Sequence, residues 1–158
     1  MSYFFEKVNA FSSATPEKVA LISGDKQTNY AQLMAQVNQL ADWLLASGIR
    51  RFGLWGENST EWIIADLAAW KAQVTLIPLP HFFSESQRNH VIQAAQLKYI
   101  LMIGETPSIA PTTHRVRVDI DTANNHTANT NPIYCDYLQG DGTDDYLLNT
   151  QKITFTSG

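Results

Sequence analysis

At 158 residues the chain is the length of one ordinary domain, able to bury roughly two-thirds of the surface its unfolded form exposes. A hydrophobic share of 44% with 11% aromatic residues excludes a disordered polymer, and a formal charge of −4 excludes the basic footprint of a nucleic-acid binder. The single cysteine, Cys135, excludes an internal disulfide and points to a reducing compartment. The first residues carry no basic start or long apolar run, and no stretch approaches the ~20 apolar residues of a membrane span, so the expectation is a cytoplasmic protein with no signal peptide.

In chain order, Ser2 to Phe11 reads as a short aromatic docking helix, broken by Ser12 to Pro16. Val19–Ile22 reads as a strand, Gly24-Asp25-Lys26 as a turn, and Gln27–Asn29 as the antiparallel partner, giving a small N-terminal hairpin. Ala31–Ser47 follows as a helix. Leu33, Val37, Leu40, Ala41, Leu44 and Leu45 form its apolar stripe, Gln32, Gln36, Gln39 and Asp42 lie opposite, and Gly48 takes the C′ position. Trp43 falls outside the stripe and is expected to touch something beyond the local core. Phe52–Trp55 reads as a buried strand.

The next helix starts where Asn58 and Glu61 have capping-box spacing, and it runs to Lys71-Ala72, with a cation suiting its last turn. Its polar residues, Thr60, Glu61, Asp66 and Lys71, do not gather into one broad face. Such a helix needs cover on several sides, more than a short chain is expected to give, so it predicts self-association or a protein partner. Val74–Ile77 reads as a β-branched strand closed by Pro78 and Pro80. Ser84 and Gln87 form a second capping box, opening a helix with Val91, Ile92 and Ala95 on its inner side. Tyr99–Ile103 is a continuous apolar strand.

Beyond Gly104, Val116–Ile120 reads as one more strand. Asp121–Asp145, rich in Asn, Thr, Asp and Gly and interrupted only by the Ile133–Leu138 patch, reads as a long mobile surface excursion with one helical turn. Lys152–Thr156 reads as a final strand. The alternation of strands and helices predicts a single α/β domain over residues 1–158, three layers deep, with a mostly parallel sheet between helices.

Most chemical candidates have a plainer explanation. His81, His90, His114 and His126 lack metal-ligand spacing and read as surface or satisfied histidines. Asp141, Asp144 and Asp145 lack the alternating ligands and closing glutamate of a calcium loop. Cys135 has no base or redox partner nearby in sequence and reads as inert. Gly53 and Gly56 lack the third glycine of a dinucleotide loop. The segment Ile153-Thr154-Phe155-Thr156-Ser157-Gly158 differs from these, because a strand running into small hydroxylated residues and glycine can turn amides and hydroxyls toward an anion.

Three stretches, in order and spacing, resemble the N-terminal region of adenylate-forming (AMP-binding) acyl- and aryl-CoA synthetases. They are Asn29-Tyr30-Ala31-Gln32-Leu33 with Leu40-Ala41 and Gly48-Ile49, then Glu57-Asn58-Ser59-x-Glu61 with Lys71-Ala72 and Ile77-Pro78-Leu79, then Thr154-Phe155-Thr156-Ser157-Gly158. The likeness covers most of the chain outside residues 105–145. Two features depart from that family: Gln73 stands where glycine is usual, and the link from Gly48 to the Phe52 strand is short.

The resemblance implies the N-terminal subdomain of an ATP- and Mg2+-dependent ligase that makes acyl-AMP from a carboxylic acid and passes the acyl group to CoA or a carrier-protein thiol. It implies a phosphate role for Thr156, Ser157 and Gly158, no catalytic residue and no metal site in this chain, and no activity of the chain alone. The Pro80-His81-Phe82-Phe83 segment inclines the acid toward a fatty or aryl one. The competing expectation is a self-standing α/β binding or scaffold module that engages a partner through an uncovered helix.

Overall fold

The computed structural model describes residues 3–120 and 130–140. The elements are α1 (Tyr3–Ala14), β1 (Val19–Ser23), β2 (Lys26–Asn29), α2 (Tyr30–Ala46), β3 (Arg51–Trp55), α3 (Thr60–Ala72), β4 (Thr75–Leu79), α4 (Glu85–Ala94), β5 (Tyr99–Ile103), β6 (Thr112–Val118) and β7 (Ile133–Leu138). β1 and β2 form the expected antiparallel hairpin. The main sheet has the order β4-β3-β5-β7-β6. β4, β3 and β5 run parallel, while β7 is antiparallel to both β5 and β6. The architecture is thus α/β with helices on both faces, and its sheet is mixed, parallel through β4, β3 and β5.

Strand alternation sorts the core into two layers. Phe52, Leu54, Leu76, Leu101 and Ile103 face α1, α2 and α3, and join the larger apolar cluster. Ile77, Leu79, Ile100 and Met102 point the other way, onto Phe83, Val91, Ala95 and Leu97 around α4. The capping boxes explain where two helices begin. Asn29 Oδ1 accepts from the Gln32 amide at 2.8 Å while Gln32 Oε1 accepts from the Asn29 amide at 3.0 Å, and Ser84 and Gln87 do the same for α4.

Several expectations need correction. The N-cap of α3 is Ser59, whose hydroxyl accepts from the Trp62 amide at 3.3 Å, and not Asn58. Pro78 lies inside β4 and does not end it. β4 is an edge strand, and the Thr75 amide bonds inward to the Arg50 carbonyl, so Pro78, three residues on, falls at an outward position where no ladder donor is lost. On α2, Leu45 is exposed and Gln36 is buried, reversing both from the stripe. Trp43 packs against the larger core, which includes the stripe of its own helix, and, among the described residues, not against something beyond it.

Ile133–Leu138 is the strand β7 and not part of a surface excursion, lying between β5 and β6 with Cys135 and Asp136 buried. The α3 helix is covered within the chain: Ile64, Ala65, Leu67, Ala68 and Ala69 are buried, and Trp62, Ile63 and Trp70 pack against the same core. The exposed large apolar residues lie elsewhere, among them Tyr3, Phe4 and Phe11 of α1, Ile22 of the hairpin, Leu45 of α2 and Phe82 after β4. The premise for association through α3 is therefore not met. The expected strand Lys152–Thr156, and residues 121–129 and 141–145 of the expected excursion, lie outside the described residues.

Candidate functional site

In an open α/β sheet the crevice beyond the carboxyl ends of the parallel strands is where loops converge and ligands bind. In this chain a cleft of about 440 Å³ lies at that edge. Trp55 ends β3 and Ile103 ends β5, giving the cleft its apolar floor. Glu57, Asn58 and Ser59 contribute the turn into α3, and His81 contributes the exit from β4. Gly104 and Thr106 form the wall after β5, and Asn131 reaches in from the segment before β7.

Two carboxylates fix these walls. Glu61, 2% exposed, accepts from the Asn131 amide at 3.1 Å and from Asn131 Nδ2 at 3.2 Å, so the first turn of α3 grips the segment leading into β7. The Gly104 amide donates to the Pro132 carbonyl at 2.8 Å, closing the same junction. Asp136, 1% exposed, takes a bidentate ion pair from Arg115 of β6, with Nε to Oδ1 at 2.5 Å and Nη2 to Oδ2 at 3.0 Å. Arg115 Nη1 also donates to the Thr106 carbonyl at 2.7 Å, which ties the post-β5 wall to the antiparallel half of the sheet.

The hydrogen bond to Asp136 holds the Arg115 guanidinium above its ordinary range, against the opposing effect of burial. Tyr134 donates its hydroxyl to Glu105 at 2.6 Å, and that bond pushes the phenol up. Below the cleft, the Arg88 guanidinium lies 5.1 Å from the Trp55 ring centre and donates to the Phe83 carbonyl.

Of the described residues weighed in the sequence for chemistry or resemblance, His81, Gly56, Glu57, Asn58 and Ser59 come to this cleft. His114 stacks on Tyr137 at 4.1 Å, and Cys135 is buried, its thiol pushed up to about 12 by desolvation. Thr156, Ser157 and Gly158, with His126, Asp141, Asp144 and Asp145, lie outside the described residues. Sequence reasoning missed Thr106, Asn131 and the Arg115–Asp136 pair. The one available signal was Glu61, whose carboxylate serves Asn131 and not a capping box.

Among the described residues no three His, Cys, Asp or Glu side chains gather as a metal site, and no helix is long and apolar enough to cross a membrane. Among the described residues, no lysine or arginine lines the cleft.

Residues 8–154 match the model of a family described as AMP-binding enzyme. The mitochondrial medium-chain acyl-CoA ligase ACSF2 of Rattus norvegicus is 33% identical over 88 residues, covering 54% of this chain and 13% of that protein. A linear gramicidin synthase of Brevibacillus parabrevis is 32% identical over 111 residues, 68% of this chain and 1% of that protein. The chain therefore spans a small part of the curated relatives it matches. Among solved structures, the O-succinylbenzoate coenzyme A synthetase of Bacillus subtilis in complex with ATP and magnesium ion matches with a TM-score of 0.58 at 22% identity, over 63% of this chain and 28% of that one. The N-terminal subdomain of Klebsiella oxytoca NpsA matches with a TM-score of 0.55 at 25% identity, over 61% and 26%.

Proposed function

Because this chain belongs to the AMP-binding enzyme family, we propose that it forms the N-terminal α/β unit of a ligase that activates a carboxylic acid with ATP. The carboxylate attacks the α-phosphate, pyrophosphate leaves, and a thiol then displaces AMP from the acyl-adenylate to give a thioester. The observation that carries this reading is the family match over residues 8–154, joined to a cleft at the carboxyl ends of β3 and β5.

The relatives named as medium-chain and medium/long-chain-fatty-acid ligases support a fatty acid and CoA as substrates. The aromatic His81-Phe82-Phe83 run beside β4 is compatible with an apolar acid. Thr156, Ser157 and Gly158 are proposed to supply hydroxyl and amide donors to ATP phosphate oxygens. No residue of this chain is proposed as a ligand to Mg2+, and among the described residues no three His, Cys, Asp or Glu side chains gather.

Bringing two anions together requires positive charge or fixed donors at the meeting point. Among the described residues, the cleft supplies hydroxyls and amides, a carboxylate at Glu57 and no lysine or arginine. We therefore expect the 158-residue chain alone neither to exchange pyrophosphate into ATP nor to bind ATP at micromolar concentration. Calorimetric ATP titration and carboxylate-dependent exchange, on this chain and on the complete product of its gene, test the reading. Exchange by the complete product and none by the chain is the expected result. A complete product inert with fatty, aryl and amino acids alike would defeat it.

A further inference from the structure

Ser59 caps α3, and Glu61, two residues on, turns its carboxylate to Asn131 instead. Oε1 accepts from the Asn131 backbone amide and Oε2 from Asn131 Nδ2, with Glu61 only 2% exposed. A carboxylate buried to that degree carries a desolvation cost that only well-made hydrogen bonds offset. These two bonds join two walls of the cleft. On one side lies the turn Glu57-Asn58-Ser59 that leads into α3, and on the other lies Asn131 before β7. The pair fixes more than a separation. Both Glu61 oxygens accept, so the Asn131 side chain must present its nitrogen to Glu61 and cannot flip. Its Oδ1 is thereby held on the other branch, an acceptor of fixed direction on a residue that lines the cleft.

We infer that Glu61 is a positioning residue of this site, acting through Asn131 to set the separation of the two walls and the direction of the Asn131 oxygen. The inference rests on the ligase reading for the reaction it serves. Joining two anionic groups depends on how closely they are held in line, and a displacement of about 1 Å, even one caused far from the reacting atoms, can cost roughly 10²-fold in rate. Glu61 is sealed from solvent and stands behind the cleft lining, so its effect reaches the cleft through Asn131. A glutamine of the same shape offers one oxygen and one NH2 group, which satisfies one of the two Asn131 donors and opposes the other.

The test measures carboxylate-dependent pyrophosphate exchange by the complete product of the gene, at a temperature well below the melting point of every variant. Glu61→Gln should lower kcat by roughly ten-fold while changing the KM for ATP little. Asn131→Ala should lower kcat to a similar extent. Combining Glu61→Gln with Asn131→Asp reverses donor and acceptor between the two side chains: the new amide donates to the new carboxylate and still accepts from the backbone amide. An acceptor oxygen is kept on the outer branch, so the double variant should recover most of the lost kcat.

A purely structural bond would lower the melting points and leave kcat unchanged, and that result would overturn the inference. So would a double variant that regains the melting point and not the rate, because Glu61 would then act by its own charge and not through Asn131. An inert wild-type product would strike the ligase reading and take this inference with it, whereas an active one with unimpaired single variants would strike the inference alone.

Discussion

At Gln73 the backbone closes α3 in the left-handed region, φ 56° and ψ 42°, a conformation that costs a residue with a Cβ roughly 1–2 kcal/mol. Gln73→Gly should therefore raise stability by about 1 kcal/mol, since glycine returns part of that gain as chain entropy. The urea midpoint reads it, and an unchanged or lowered midpoint would show that the Gln73 side chain makes up the difference. Gly56, at φ +154° on the cleft, is the opposite case: a Cβ there would lie 2.7 Å from the Cβ of Ile103. At Gly53 the added carbon would meet the mobile ends of Leu79 and Leu97 at 2.8 and 3.0 Å. Gly56→Ala should thus destabilise more than Gly53→Ala, both within the ~1–3 kcal/mol range of overpacking. In the sequence these glycines stand out only for a motif they do not complete. Their use is close approach between neighbouring strands, which only the assembled sheet reveals.

Cys135 follows from its neighbours in the same way. Burial between β5 and β6 raises its thiol from 9.0 to about 12. Because the folded value lies above the unfolded one, the stability it contributes is complete below pH 9 and is lost as the pH climbs toward 12. Iodoacetamide at pH 8 should leave the native chain unlabelled and label it once urea unfolds it. Rapid labelling of the folded chain would mean that β7 opens readily.

Among the elements, β7 was the least legible. Asp136 interrupts an otherwise apolar run, so Ile133–Leu138 reads as a patch in a polar loop. What makes the carboxylate acceptable in a central strand is Arg115, 21 positions earlier. No local pattern carries that pairing. β3, β4 and β5 were legible because strands with helices on both faces must be apolar throughout. The edge strand β6 was placed too late, since an edge can begin with Thr112, Thr113 and His114 and still pair. The ion pair also predicts an asymmetry. Arg115→Met strands a carboxylate that is 1% exposed, whereas Asp136→Asn leaves a guanidinium side chain that is 26% exposed and can reach water. The first should cost about 3 kcal/mol and the second clearly less. Equal losses would mean that packing of the arginine stem, and not the stranded charge, sets the cost.

Across the whole molecule, the division into two core layers bears on how the fold comes apart. The layer under α4 is much the smaller, and within α4 itself only Val91 is buried. A thin layer of that kind could be expected to melt first. The sheet argues otherwise, because each of β3, β4 and β5 places side chains in both layers alternately. Losing Ile77, Leu79, Ile100 and Met102 from one face would expose the same strands that hold Leu76, Leu101 and Ile103 on the other. The four tryptophans separate the alternatives, since Trp43, Trp62 and Trp70 pack against the larger layer and Trp55 against the smaller. A variant keeping Trp55 alone, with the other three changed to Phe, should show one urea midpoint by fluorescence and by far-UV circular dichroism, as a cooperative domain does. A fluorescence transition preceding the loss of ellipticity would place α4 and the His81 side of the cleft in a separate, weaker unit. The cleft would then be built from two parts of unequal stability and not from one rigid edge.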